Sequence, residues 1–95
     1  MYRIQRTKDF ERSYSRLKAS GKFKSNAKTD LTAVIGMIAD ERQLPAAFKD
    51  HALKGEYKGF RECHIRGDLL LIYRLDEKAG ILDVADIGSH SQLFG

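Results

Sequence analysis

Phe60-Arg61-Glu62-Cys63-His64-Ile65, Leu69-Leu70-Leu71-Ile72-Tyr73-Arg74-Leu75 and Ile81-Leu82-Asp83-Val84-Ala85-Asp86-Ile87 are three apolar-rich runs of strand length in close succession. Gly67-Asp68 makes the turn between the first pair. Asp76-Glu77-Lys78-Ala79-Gly80 joins the second pair, a hairpin loop with glycine for a left-handed position. The stretch reads as a β-meander with strands over 60–65, 69–75 and 81–87. Upstream the period changes. Phe10, Tyr14 and Leu17 form one stripe of an amphipathic helix, with Thr7 as N-cap and Gly21 closing it. Ala27, Leu31, Val34, Ile35 and Ile38 form the apolar face of a second helix, capped by Ser25 or Asn26. Tyr2 to Arg6 alternates apolar and basic residues and predicts a short opening strand. The lone proline, Pro45, ends the helical region, and residues 45–55 read as loop or extended chain. The order β-α-α-β-β-β gives the α+β class: two N-terminal helices packed on one face of a small, mostly antiparallel sheet.

At roughly 100–200 residues per domain, the 95 residues make one domain, 1–95. Hydrophobic residues at 42% and charged residues at 32% exclude a low-complexity or membrane chain. The longest apolar run, 69–73, falls far short of the about 20 residues that span a bilayer. Met1-Tyr2-Arg3-Ile4 leads into charges with no apolar signal segment, and the single cysteine, Cys63, admits no internal disulfide. Both fit a reducing cytoplasm. The charge is uneven: residues 1–28 carry nine basic groups and two acids, a net of +7, whereas 29–95 carry eight and eleven, a net of −3. A basic end this dense attracts polyanions such as nucleic acid, or is an ordinary solvated helix face.

The three histidines, His51, His64 and His90, lie in the second half, each among polar groups. Side chains two apart on a strand share a face, so Glu62 and His64 point one way and Arg61, Cys63 and Ile65 the other. A carboxylate beside an imidazole holds its tautomer, which serves proton transfer. Asp68 follows that strand and His90 follows the last one. The three rings are either separate surface residues or parts of one shared site. Spacings of 13 and 26 residues match no local zinc pattern, so neither metal nor cofactor is expected. Cys63 faces the core, and no G-x-S-x-G elbow surrounds Ser89 or Ser91. What remains is metal-free acid–base chemistry beside a basic surface, the combination that RNA cleavage needs.

Leu44-Pro45, Lys49-Asp50-His51-x-Leu53-x-Gly55, Gly59-Phe60-Arg61-Glu62-Cys63-His64-Ile65, Asp68-Leu69-Leu70-Leu71-Ile72-Tyr73 and Gly88-Ser89-His90-Ser91-x-Leu93-Phe94 together resemble YafQ-type toxins of the RelE superfamily. The likeness is dense over 44–95 and one of layout over 1–43. It implies a RelE-like fold and the toxin of a type II toxin–antitoxin module: an endoribonuclease that enters the ribosomal A site and cuts mRNA. It also implies a cognate antitoxin, a ribbon-helix-helix protein of the DinJ/RelB kind, with operator DNA bound only through that complex. Carried over by motif, His51, Glu62 (Asp in many members), His64, Asp68 and His90 fall on catalytic positions. The histidines would handle protons, the acids would orient them, and Phe94 would pack on a base. Lys54, Arg61 and Arg66 are expected at the substrate, although strand alternation turns Arg61 away from Glu62 and His64. Lys22, Lys24 and Lys28 are expected on ribosomal RNA. Two positions depart from the pattern. Many relatives read Arg-x-Gly-[Ser/Thr]-His where this chain reads Asp86-Ile87-Gly88-Ser89-His90, an anion for a cation, with Arg66 the candidate substitute. Gly67-Asp68 replaces Pro-Asp. Two rivals stay open: a degenerate toxin that only binds antitoxin as co-repressor, and a ribosome-independent RNase.

Overall fold

The computed structural model describes residues 1–95. Strand β1 (Arg3–Arg6) leads through Thr7 into α1 (Lys8–Ala19) and then α2 (Ser25–Ala39). Thr7 fills the expected cap: its hydroxyl accepts the Phe10 N–H at 3.1 Å and donates to the Ala85 carbonyl at 2.7 Å. The start of α2 differs from expectation. Its N-cap is Lys24 with no side-chain capping bond, and Ser25 is already helical, so neither Ser25 nor Asn26 caps it. The region read as loop is more ordered than its sequence suggests. It holds two 3-10 turns, Ala46–Phe48 and Gly55–Tyr57, and a two-residue strand, β2 (His51–Ala52). Then come β3 (Arg61–Arg66), β4 (Leu69–Asp76), β5 (Ile81–Gly88) and a short helix, α3 (His90–Phe94). Gly80 takes its left-handed place in the β4–β5 loop at φ 69°.

The five strands form one sheet in the order β1-β5-β4-β3-β2. Neighbours run antiparallel except β1 beside β5. One face packs on the helices. Phe10, Leu31, Val34 and Ile38 meet Cys63, Leu71, Tyr73, Leu82, Val84 and Ile87 there. Burying each large apolar side chain contributes about 1.5–3 kcal/mol. A bulge in β5 breaks the alternation: Tyr73 pairs with Val84 and Ile72 with Asp86, leaving Ala85 unpaired. Val84 and Ile87 can therefore both enter the core, at 0% and 2% exposure, while Asp86 pairs with Ile72 on the other face. The Thr7 hydroxyl supplies the bond that the bulged Ala85 carbonyl would otherwise lack. No helix is long and apolar enough to cross a membrane.

Candidate active site

The face turned from the helices carries the polar cluster. One row across four strands pairs His51 with Glu62, Glu62 with Ile72 and Ile72 with Asp86. The next row pairs His64 with Leu70 and Leu70 with Gly88. Strands lie about 4.8 Å apart, so Gly88, the last residue of β5, stands roughly 10 Å from the His64 backbone, two residues ahead of α3. Glu62 is 5% exposed. Its Oε1 lies 3.6 Å from His51 Nε2 and 3.8 Å from His64 Nε2. Both separations exceed a direct hydrogen bond yet keep the ion-pair attraction, so this carboxylate can stabilise an imidazolium formed on either ring.

His51 has a second anchor. Its Nδ1 lies 2.7 Å from the Lys49 carbonyl. A carbonyl only accepts, so Nδ1 carries the hydrogen and the neutral ring presents a lone pair at Nε2. Lys49 adopts φ 50°, a left-handed conformation uncommon for a residue with a Cβ. His90 opens α3, and its backbone N–H donates to Asp68 Oδ1 at 3.3 Å. Ser89 and Gln92 close a reciprocal capping box around that first turn. The His90 ring sits 5.2 Å from Phe94, which is 37% exposed and meets the edge of Tyr57 at 5.5 Å. Tyr57 in turn meets Phe60 at 6.1 Å, and the Arg74 guanidinium lies 5.2 Å over Phe60. Tyr57 is absent from the residues that the sequence singles out, and Phe60 and Arg74 are read there only as parts of strands and motif, with no role at the site. Two aromatics beside Gly55 and Gly59 are the signal that could have found Tyr57 and Phe60, whereas nothing in the sequence marks Arg74.

The structure thus brings His51, Glu62 and His64 together and ties Asp68 to His90. It does not bring Arg61 to them. Arg61 lies on the face of Cys63, pairs with Asp50 at 3.2 Å, and that hydrogen-bonded carboxylate pushes its pKa up. Arg66 pairs with Asp30 at 2.7 Å, and Lys54 stands exposed ahead of the second 3-10 turn. Lys22 and Lys24 line a cavity beside the end of β5 together with Arg66, Asp68 and Asp86, whereas Lys28 lies outside it. Cys63 is buried, and burial pushes its thiol up to about 12, which removes it as a nucleophile near neutrality. No group of three or more His, Cys, Asp or Glu side chains is placed to hold a metal ion.

The frame is that of a small α+β toxin domain. A metal-bound toxin from Helicobacter pylori superposes with TM-score 0.86 at 39% identity, over 99% of this chain and 100% of that one. The toxin fold in the Escherichia coli DinJ–YafQ complex superposes with TM-score 0.82 at 28% identity, covering both chains completely. The sequence model of the family described as "Bacterial toxin of type II toxin-antitoxin system, YafQ" matches residues 2–95. The chain belongs to that family, the one its motifs resemble. It is also 42% identical over 59 residues to the mRNA interferase toxin YafQ of Escherichia coli strain K12. That alignment spans 62% of this chain and 62% of the relative.

Proposed function

We propose that this chain is an endoribonuclease toxin that cuts mRNA in the ribosomal A site without a metal, in the cytoplasm. The observation that carries the reading is Glu62, buried between His51 and His64, with His51 held in the tautomer a base requires. In this scheme His51 Nε2 takes the 2′-OH proton and Glu62 stabilises the resulting imidazolium. The 2′-oxygen attacks the adjacent phosphorus, the O2′–P bond forms and the P–O5′ bond breaks. His90 gives its proton to the departing 5′-oxygen. The products are a 2′,3′-cyclic phosphate and a 5′-hydroxyl. Asp68 positions His90 through the helix start, His64 faces the phosphate, and Phe94 stacks on a base. Lys22, Lys24 and Lys28 contact RNA phosphates, with Lys54 and Arg66 at the rim. Both protons have side-chain carriers, so the step calls for no Lewis acid. The partner is a DinJ-like ribbon-helix-helix antitoxin, since a relative is solved with DinJ. Operator DNA is reached through that complex.

Incubation with programmed ribosomes and with bare RNA tests the reading. Cleavage on ribosomes alone is expected. Equal cleavage of bare RNA identifies a ribosome-independent RNase, and cleavage of neither identifies an antitoxin-binding co-repressor. Elemental analysis of the active protein checks metal independence, and a stoichiometric transition metal overturns it.

A further inference from the structure

Asp86 has no place in that scheme. It stands in the same row as Glu62, and its Oδ1 accepts the Ile87 N–H at 2.8 Å, but Oδ2 has no hydrogen-bond partner and no cation pairs with it. Arg66, the candidate substitute for the cation missing at this position, is engaged with Asp30. A half-buried carboxylate with no cationic partner repels phosphate and calls for N–H or O–H donors; in RNA these are the ribose 2′-OH, the same on every nucleotide, and the donors of the bases, which differ.

Asp86 also lines a cavity of about 720 Å³ that opens between the α1–α2 link, the β3–β4 turn and the end of β5. That volume is within the range of small-molecule sites and accommodates one nucleotide. Lys22, Lys24 and Arg16 bring positive charge to it, and Phe23 and Leu93 bring apolar wall. Asp68 is a second carboxylate in the wall, with Oδ1 held by the His90 N–H. Cations for a phosphate, apolar wall for a base and acceptors for its donors are the elements of a nucleotide pocket. In RNA, amino donors occur only on the bases: cytosine N4, adenine N6 and guanine N2. Uracil lacks one, and two carbonyl oxygens flank its single ring N–H and face a carboxylate unfavourably.

We propose that this cavity holds one nucleotide of the mRNA and that Asp86 reads its base, accepting from an amino group and rejecting uracil. The inference rests on the endonuclease reading and adds a specificity-determining residue to it. Asp86 acts here as a base acceptor, in place of any role at the scissile phosphate.

The test uses the full chain on ribosomes programmed with mRNAs in which each A-site codon position is varied in turn. Wild type, Asp86→Ala and Asp86→Asn are compared for single-turnover cutting, with circular dichroism confirming that the variants fold. At one position the wild type should cut amino-bearing bases about tenfold or more faster than uracil. Asp86→Ala should bring that ratio close to one. Asp86→Asn keeps an oxygen for the Ile87 N–H and offers an amide donor in place of Oδ2, so it should move the preference toward uracil. Variants that change the rate by one factor on every codon overturn the inference while leaving the nuclease intact. A wild type without base preference does the same. A wild type that cuts no mRNA overturns both, and is recognised because no cleavage profile exists to compare.

Discussion

On the helix-covered side of the sheet, Cys63, Leu71, Tyr73, Leu82, Val84 and Ile87 meet apolar partners from α1 and α2. On the other side the same strands offer Glu62, His64, Leu70, Ile72 and Asp86. No long helix covers that second face, yet Leu70 and Ile72 are only 1% and 0% exposed. The loop with Tyr57 and Phe60 and the short α3 lie over the sheet there, so a dry floor sits beneath a polar rim. The comparison separates two uses of burial. One face buries surface to hold the fold. The other buries Glu62 so that its attraction for a charged imidazole is less damped by water than it would be on the surface.

If that division holds, substitutions on the two faces fail in different ways. The largest effect belongs to the open face. His51→Ala and His90→Ala should each lower single-turnover cleavage on the ribosome by about 10²–10⁴. Their melting temperatures should stay near wild type, because the His51 side chain is 50% exposed and His90 is exposed too. If His90→Ala cuts at the wild-type rate, the acid is another group. The next effect belongs to the helix face. Leu71→Ala should cost about 2–5 kcal/mol in urea unfolding through the cavity it leaves. At temperatures where the variant is folded, its cleavage rate should remain close to wild type. A comparable loss of activity in that folded variant would show that the two faces are coupled.

Alkaline titration sharpens the contrast further. Burial pushes the Cys63 thiol from 9.0 up to about 12, and burial together with the bond to Asp50 raises the Tyr73 phenol above its ordinary value. Both folded-state values are raised, so the native chain holds protons that the unfolded chain releases. The stabilisation is complete below pH 9 and is lost as pH climbs from 9 toward the folded values. The slope should reach up to about 1.4 kcal/mol per pH unit for each group. Urea unfolding at pH 7 to 11 measures it. Cys63→Ala should flatten the part contributed by the thiol. An unchanged slope in that variant would mean that the helix face admits water.

The helix face is also the part of the molecule that the sequence announces. Phe10, Tyr14 and Leu17, then Ala27, Leu31, Val34 and Ile38, repeat with helical period, and the meander runs and their turn residues are local signals. The open face is assembled from features too short to carry a period. β2 is two residues long and α3 five, and each is fixed by partners far along the chain. Alternation does place Glu62 beside His64 and turns Arg61 away, both as observed. In β5 unbroken alternation would put Asp86 with Leu82 and Val84 on the helix side, and the strand departs from it. The unpaired Ala85 shifts the register by one residue and turns Asp86 to the open face. Nothing in Val84-Ala85-Asp86 marks the bulge, since its anchor, the Thr7 hydroxyl, lies at the other end of the chain. The pairing of His51 with Glu62 escapes the sequence for the same reason: it is made by a strand too short to announce itself.

The smallest loss of stability expected is at the join between the sheet and α3, at Gly88. A Cβ built there would lie 2.9 Å from Gln92 Oε1 and 3.4 Å from Gln92 Cβ. The backbone itself needs no glycine, as Gly88 lies outside the left-handed region. The conflict is with one side chain, which a free glutamine would resolve by moving. Gln92 is not free, because its Oε1 accepts the Ser89 N–H at 2.8 Å as half of the capping box. Gly88→Ala should therefore break that bond and cost roughly 0.5–2 kcal/mol, the usual worth of a cap. Its larger consequence is positional. Moving the first turn of α3 moves His90 relative to His51 and Glu62, and a displacement of about 1 Å can cost 10²-fold in rate. Gln92→Ala loses the same bond without adding bulk beside Gly88. It should show a similar stability loss and a smaller loss of activity. Equal activity in the two variants would assign the effect to the missing cap alone and leave the close approach at Gly88 without a role in catalysis.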